Sequence, residues 1–317
     1  MNKEPLIIIA GPTGAGKTDI SIKLAKEING SIISADSMQV YKGMDIGSAK
    51  ITKDEMQGVD HYLIDILDPK TDEFNVVYFQ QLAREAMKDI RSKGKNPIVV
   101  GGTGFYIQAL LYDIDFTETG NNEASRSEYH KFAEEHGLAA LHDLLKEKDP
   151  AAAEQIHMNN LKRVIRALEF YDETGTRISE HNEEQHKKTS PYDYAFFVLT
   201  DHREKLYSRI NSRVDKMMEA GLENEVRGLY GSGLRDYHIS MKGIGYREFF
   251  PYFNGEYDLV STVEKIKQDT RHFAKRQLTW FQRESDTTFI NKTEFDYDDE
   301  RIVKYMIKIA GEKNAYR

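Results

Sequence analysis

Hydrophobic residues in the first hundred positions follow two spacings. Mostly apolar runs occupy residues 6–10, 31–35, 61–67 and 97–100, each short enough for one strand. Between them, residues 17–29 and 75–93 place apolar side chains at helical spacing, and these segments stop at Gly30 and Gly94. Such near-continuous apolar runs suit parallel strands covered on both faces, so an α/β fold with a parallel sheet flanked by helices is expected. The strand pattern then ceases. Gly120, Asn121 and Asn122 begin a polar segment, helical periodicity follows over 129–135, 138–146, 150–155 and 160–174, and 181–189 reads as a polar loop. Residues 194–199 resume the strand pattern. Helices are expected over 203–220, 222–230, 246–253 and 259–284, then a strand at 287–291 and a closing helix at 298–310. The expected organisation is an α/β core from residues 1–115 and 192–317, interrupted by an all-helical insertion at 116–191.

Composition changes this picture little. The 317 residues are 39% hydrophobic and 30% charged, ordinary for a globular chain. The absence of cysteine excludes disulfides, thiolate zinc sites and a cysteine nucleophile. No apolar run approaches the roughly 18 residues of a membrane span, and no signal peptide is visible. A cytoplasmic, monomeric enzyme with no membrane partner is the expectation. The net charge of −8 alone argues against a nucleic-acid partner. Its distribution argues otherwise. Between 265 and 283 six basic residues stand against Asp269 alone, a net +5 on one expected helix. The insertion, with 10 basic and 15 acidic residues between 116 and 190, is not globally cationic.

Chemistry enters at the end of the first strand. Gly11, Pro12, Thr13, Gly14, Ala15, Gly16, Lys17 and Thr18 match the phosphate-loop pattern G-x-x-x-x-G-K-[ST] without mismatch, between a strand and a helix as the motif requires. The glycines let successive backbone N–H groups face one anion, and the helix start adds partial positive charge. Lys17 supplies a mobile point charge, and Thr18 a hydroxyl suited to Mg²⁺. The core is thus P-loop NTPase-like, and nucleotide binding, ATP included, is one use of such a loop. The loop does not reveal what the bound phosphate is attached to.

Ligands of parallel sheets bind at the carboxyl ends of strands, which brings two further stretches to this loop. Asp36 ends the second strand and is followed by Ser37, Met38 and Gln39; it suits a general base, an Mg²⁺ ligand through water, or equally the cap of a turn. Gly101, Gly102, Thr103 and Gly104 follow the fourth strand, where the glycines allow close backbone approach and Thr103 offers a hydroxyl, or simply caps the next helix. Asp65 could orient a metal in a nucleotide hydrolase or be structural. Arg209 and Arg213, four apart on a helix, can clamp one oxyanion. Lys162, Arg163 and Arg166 form a cationic ridge, or a solvated helix face. Lys242, Gly245, Tyr246 and Arg247 suit a loop against a nucleotide with Tyr246 stacking, or a plain helix entry. Lys275 and Arg276 beside Trp280 suit an RNA backbone.

Taken in order, Gly-Pro-Thr-Gly-Ala-Gly-Lys-Thr, Ala-Asp-Ser-Met-Gln-Val-Tyr, His-Tyr-Leu-Ile-Asp-Ile-Leu-Asp-Pro, Val-Gly-Gly-Thr-Gly-Phe-Tyr, Lys-Arg-Val-Ile-Arg-Ala-Leu-Glu, Gly-Ile-Gly-Tyr-Arg-Glu and Thr-Arg-His-Phe-Ala-Lys-Arg-Gln-Leu-Thr-Trp-Phe resemble the bacterial tRNA dimethylallyltransferases, the IPP transferase family. The likeness runs from Gly11 to about Phe281 and is weak in the insertion except near Arg126 and the Lys162 ridge. Eukaryotic relatives carry a zinc finger, which a chain without cysteine cannot form. The resemblance implies transfer of a dimethylallyl group from dimethylallyl diphosphate to the exocyclic amine of adenosine 37, beside the tRNA anticodon. It implies that the loop of Gly11 to Thr18, with Lys17 catalytic and Mg²⁺ on Thr18, grips the diphosphate, with Arg213 a further clamp. Asp36 would be the base on the amine, and Thr103 would contact tRNA near the leaving group. Ser37, Met38 and Gln39 would line the flipped base. Arg126, Lys162, Arg163, Arg166, Lys242, Gly245, Tyr246 and Arg247 would contact tRNA, as would Lys275 and Arg276 on their own chemistry. A small-molecule or nucleotide kinase is the alternative, with Asp65 on its metal; a non-catalytic RNA-binding switch would leave Asp36 idle.

Overall fold

The computed structural model describes residues 3–116 and 123–317, so the polar segment at Gly120, Asn121 and Asn122 lies outside the described residues. The chain forms two compact units, 1–111 with 191–317, and 112–190.

The first unit is built on β1 (Glu4–Ala10), which is buried from Leu6 onward because both of its faces are covered. After it come α1 (Lys17–Glu27), β2 (Gly30–Ala35), α2 (Lys53–Met56), β3 (His61–Tyr62), α3 (Val76–Ser92), β4 (Asn96–Gly101) and α4 (Gly104–Leu111). The second unit contributes α5 (Glu123–Lys148), α6 (Pro150–Gln155), α7 (Leu161–Thr174) and α8 (Ile178–His186). The chain then returns with β5 (Tyr192–Thr200), α9 (Arg203–Glu219), α10 (Leu222–Gly231), α11 (Phe249–Phe253), α12 (Leu259–Phe281), β6 (Thr287–Asn291) and α13 (Asp299–Glu312). The six strands form one all-parallel sheet in the order β3-β2-β4-β1-β5-β6.

Register matters more here than order. Gly101 pairs with Ala10 on one side and Ala35 on the other. The loops after β1, β2 and β4 therefore leave the sheet side by side, as expected from the strand-end rule. The pairing is tight: a Cβ on Gly101 would stand 2.2 Å from the backbone oxygen of Ala35. Ile7, Ile9, Leu24, Phe197 and Ile290 belong to the core between the sheet and α1 and α13.

Three elements differ from the sequence expectation. The strand expected at 61–67 stops after Tyr62, because Leu63 and Asp65 take left-handed backbone conformations (φ 64° and 55°) and only Leu67 bridges again, to Tyr41. Tyr246 lies in a turn, and α11 starts at Phe249. The polar stretch after Arg177 is helical. Its start is fixed by the buried Asp149 carboxylate, which accepts the Ser179 N–H (2.9 Å) and hydroxyl (2.6 Å), while Ile178 packs on the helical core. That core holds Leu141, Leu145, Val164, Ile165 and Leu168, and the long α5 breaks at Gly137 (φ 88°), between its two expected helices.

Replacing Gly101 by alanine is expected to lower unfolding free energy by about 3 kcal/mol, as overpacking against unyielding backbone does. Urea denaturation measures this, and a wild-type midpoint would refute the close pairing.

Candidate active site

The loop after β1 is shaped by backbone approach. Gly11 has φ 146°, and a Cβ there would lie 2.4 Å from the backbone oxygen of Leu199 on β5, so only glycine fits. Gly16 takes the left-handed conformation that launches α1, whose first amides point back at the loop. Lys17 folds over it and donates to the carbonyls of Gly11 and Pro12, both at 2.9 Å. Burial holds the Lys17 ammonium down at about 8; the nearby Arg213 pushes the same way, and Asp36 opposes. Burial also lowers the Arg213 guanidinium, again opposed by Asp36. Two desolvated cations thus share the field of one carboxylate. Such a site favours an added anion.

Asp36 lies in the field of these cations and also caps a turn, the second of its sequence readings. Its Oδ1 accepts the N–H of Met38 at 2.8 Å and, more weakly, of Gln39 at 3.4 Å. The second oxygen is left to other partners. Thr103 donates its N–H to Ala35 at 3.3 Å, and its hydroxyl makes no hydrogen bond among the described residues. An aromatic wall stands beside Asp36. Tyr106, whose buried phenol is raised above its usual range, stacks on Phe79 at 4.9 Å and meets Phe74 edge-on at 5.6 Å.

The glycines after β4 make room for α12. The Gln277 side chain donates to the Gly102 carbonyl (2.9 Å) and accepts the Thr13 N–H (3.0 Å), so one amide staples the loop after β4 to the loop after β1. A Cβ on Gly102 would meet Gln277 at 2.2 Å, and one on Gly104 would meet Trp280 at the same distance. Gln277 is a residue that sequence reasoning missed; an amide buried between cations and apolar residues on one helix was its only signal.

Two expected roles are corrected, those of Arg209 and Tyr246, and other expected contact residues already have partners within the protein. Arg209 is not free to clamp an oxyanion with Arg213: its Nη2 bonds the buried Asp201 carboxylate (2.5 Å) and its Nε the Gly14 carbonyl (2.9 Å), bracing the loop from behind. Tyr246 cannot stack on a base in this conformation. It is fully buried and hydrogen-bonded to Glu225 and Ser48, a position a glycine-flanked aromatic does not advertise. Gly245 donates its N–H to Glu248, and Arg247 pairs with Glu248 (2.7 Å) and Asp269 (3.3 Å). Arg126 forms a two-pronged pair with the buried Glu169 (3.0 and 3.2 Å). Gln39 is engaged too, accepting from Ser34 at 3.1 Å, with only long 3.4 Å contacts from its NH₂ to Ser48 and Ala49. Met38 lies against Gly243, and Ser37 is half-buried.

Other cations remain available. Lys162 and Arg163 are exposed on α7, Arg166 half-buried, and Lys242 exposed, none in an ion pair among the described residues. On α12, Lys265, Lys267 and Arg271 are held by neighbours. Lys275, Arg276 and Arg283 instead line an open cavity of about 430 Å³ with His272, Thr279 and Trp280. Asp65, the carboxylate a kinase would place on metal, is bound to Lys50, as is Asp45 (2.6 Å). No cluster of three metal-ligating side chains occurs among the described residues, and no helix there is long and apolar enough to cross a membrane.

Comparison with known proteins agrees with this geometry. Residues 39–284 match the family described as IPPT, IPP transferase. The chain is 56% identical to the tRNA dimethylallyltransferase of Lachnoclostridium phytofermentans, over 99% of this chain and 100% of that one. It is 48% identical to the enzyme of the same name from Bacillus cytotoxicus, over 98% and 96%. Among solved structures it resembles the tRNA isopentenylpyrophosphate transferase of Bacillus halodurans, with TM-score 0.74, 43% identity and 98% coverage of each chain. It also resembles a eukaryotic dimethylallyltransferase acting on tRNA, with TM-score 0.79, 32% identity, and 91% of this chain and 74% of that one covered.

The Lys17 ammonium gives the site a pH signature. An anion binds the protonated form, so affinity for a diphosphate should be level below pH 8 and weaken above it, by up to about tenfold per pH unit. Lys17→Arg should remove the inflection. Calorimetric titration between pH 7 and 9.5 measures it, and a flat wild-type profile would place Lys17 outside the binding site.

Proposed function

The chain belongs to the IPP transferase family and transfers a prenyl group to tRNA, and from that premise we propose the donor, the acceptor atom and the residues that join them. The donor is dimethylallyl diphosphate, and the acceptor is the exocyclic amine of adenosine 37 beside the anticodon. The reading is carried by the pairing of Gly101 with both Ala10 and Ala35, which sets the phosphate loop, Asp36 and Thr103 at one sheet edge.

The diphosphate lies on the amides of Gly14, Ala15, Gly16, Lys17 and Thr18, with Lys17 and Arg213 supplying the charge that water no longer screens. The Thr18 hydroxyl is exposed at the start of α1 and suits Mg²⁺, which takes few protein ligands and otherwise binds phosphate oxygens and water; when bound it neutralises charge on the leaving group. The base, extruded from its stack, enters beside Ser37, Met38 and Gln39. The allylic C–O bond breaks and diphosphate leaves; the N–C bond forms, and the amine proton passes to Asp36. Thr103, with its unengaged hydroxyl, sits where leaving group and tRNA meet.

Lys162, Arg163, Arg166, Lys242, Lys275 and Arg276 are the cations that meet the tRNA backbone, supported by their lack of protein counter-ions among the described residues. Arg126 and Arg247 join them only by sharing charge with their present partners. The helical unit, 112–190, is a tRNA-contacting insertion. The protein works as a cytoplasmic monomer. The kinase alternative is disfavoured by the Lys50 pairing of Asp65.

Protein incubated with Mg²⁺, dimethylallyl diphosphate and unmodified tRNA should add one prenyl unit to adenosine 37, read by nucleoside mass spectrometry. Asp36→Asn should lower turnover by about 10²–10⁴-fold with tRNA affinity little changed, as loss of a general base does. An unmodified adenosine with wild-type protein refutes the reaction; near-normal turnover in Asp36→Asn returns that residue to its turn-capping role.

A further inference from the structure

The loop on which the Asp36 turn rests is moulded by a residue far away in sequence. Glu225, half-buried on α10, accepts three successive backbone N–H groups: Asp45 (2.9 Å) and Ile46 (2.7 Å) on Oε2, and Gly47 (3.0 Å) on Oε1. Oε1 also accepts the hydroxyl of Tyr246 at 2.8 Å, and that hydroxyl accepts the fourth N–H, of Ser48, at 3.1 Å. Four consecutive amides are thus taken by one carboxylate and one phenol. The fit is close, since a Cβ on Gly47 would lie 2.5 Å from the Tyr246 ring. Burial raises the Tyr246 phenol far above its usual range, so it remains a donor at any working pH.

The moulded segment touches the site through its carbonyls. Ser48 and Ala49 accept from the Gln39 amide, whose other end is held by Ser34. The Gln39 and Met38 N–H groups in turn hold Asp36 Oδ1. From the other side, Lys50 ties Asp45 and Asp65 to the Tyr41 carbonyl (2.7 Å), and Gly243, three residues before Tyr246, packs on Met38. A run of contacts therefore leads from α10 to the carboxylate that faces Lys17 and Arg213, through the long 3.4 Å links that Gln39 makes to Ser48, Ala49 and Asp36.

We propose that Glu225, with Tyr246 as its co-acceptor, is a positioning residue that sets the backbone of residues 45–48 and through Gln39 the aim of the Asp36 turn at the acceptor base. This rests on the reading of Asp36 as the base for transfer. Glu225 does not touch the diphosphate loop among its hydrogen bonds, so its loss should separate turnover from donor binding.

The experiment compares wild type, Glu225→Gln and Tyr246→Phe in the full chain. Glutamine keeps the shape but has one acceptor oxygen where the carboxylate has two, and Tyr246→Phe is the milder variant should the first fold poorly. In Glu225→Gln, kcat for transfer should fall about 10–100-fold, the range for sub-ångström misplacement of a catalytic group. The affinity and the stoichiometry of dimethylallyl diphosphate should stay within about twofold, since the phosphate loop's own hydrogen bonds are untouched. Amide hydrogen exchange over residues 36–50 should quicken in both variants. A kcat loss that merely tracks lost donor-binding sites, or unchanged exchange at 37–39, overturns the proposal. Quickened exchange alongside a wild-type protein that transfers nothing would uphold the mould and refute the assigned reaction instead.

Discussion

Two cations brought out of water beside a single carboxylate set the terms for the rest of this structure. Lys17 and Arg213 are each shifted towards their neutral forms by burial, and Asp36 only partly offsets it. A protein keeps such a charge imbalance only where the surrounding elements hold it in place. In the proposed reaction a bound diphosphate would relieve it, and the same charges would assist its departure from an allylic carbon. Donor affinity and leaving-group stabilisation would then be two consequences of one arrangement.

Rigidity behind the site follows from side chains that bond the loops from beyond the helical insertion. Gln277 spans Thr13 and Gly102, fixing the spacing between the phosphate loop and Thr103. Arg209 links Gly14 to Asp201, which also accepts from Thr293 and Tyr297. Glu225 does the equivalent for the Asp36 side. Each brace comes from beyond the helical insertion in sequence and acts on a loop from before it, so the second half of the chain is the scaffold on which the first half's chemistry is aimed. Gln277 also follows Lys275 and Arg276 directly, which places the two proposed backbone contacts and the loop spacing on one turn of α12.

What could be read from sequence was whatever depends on local pattern. Apolar runs located the six strands, glycines after helical periods located their ends, and the phosphate loop declared itself by spacing. The strand-end rule alone places Asp36 and Thr103 beside that loop. What could not be read depends on partners distant in the chain. Tyr246 looks like a free aromatic after a glycine pair, yet its hydroxyl belongs to Glu225. Arg209 and Arg213 look equivalent at helical spacing, and only Asp201 distinguishes them. Leu63 and Asp65 sit in an apolar run but take left-handed conformations, with Asp65 tied to Lys50. The helix after Arg177 is set by Asp149, which no periodicity reveals.

The central claim is that the loop of Gly11 to Thr18 holds a leaving diphosphate and not a nucleoside triphosphate. Its most direct test is the yield of inorganic diphosphate against prenylated adenosine in a reaction free of any nucleoside triphosphate. The account requires the two products to appear in equal amounts, with added ATP neither consumed nor needed. Turnover that depends on ATP, or release of orthophosphate in place of diphosphate, would contradict it.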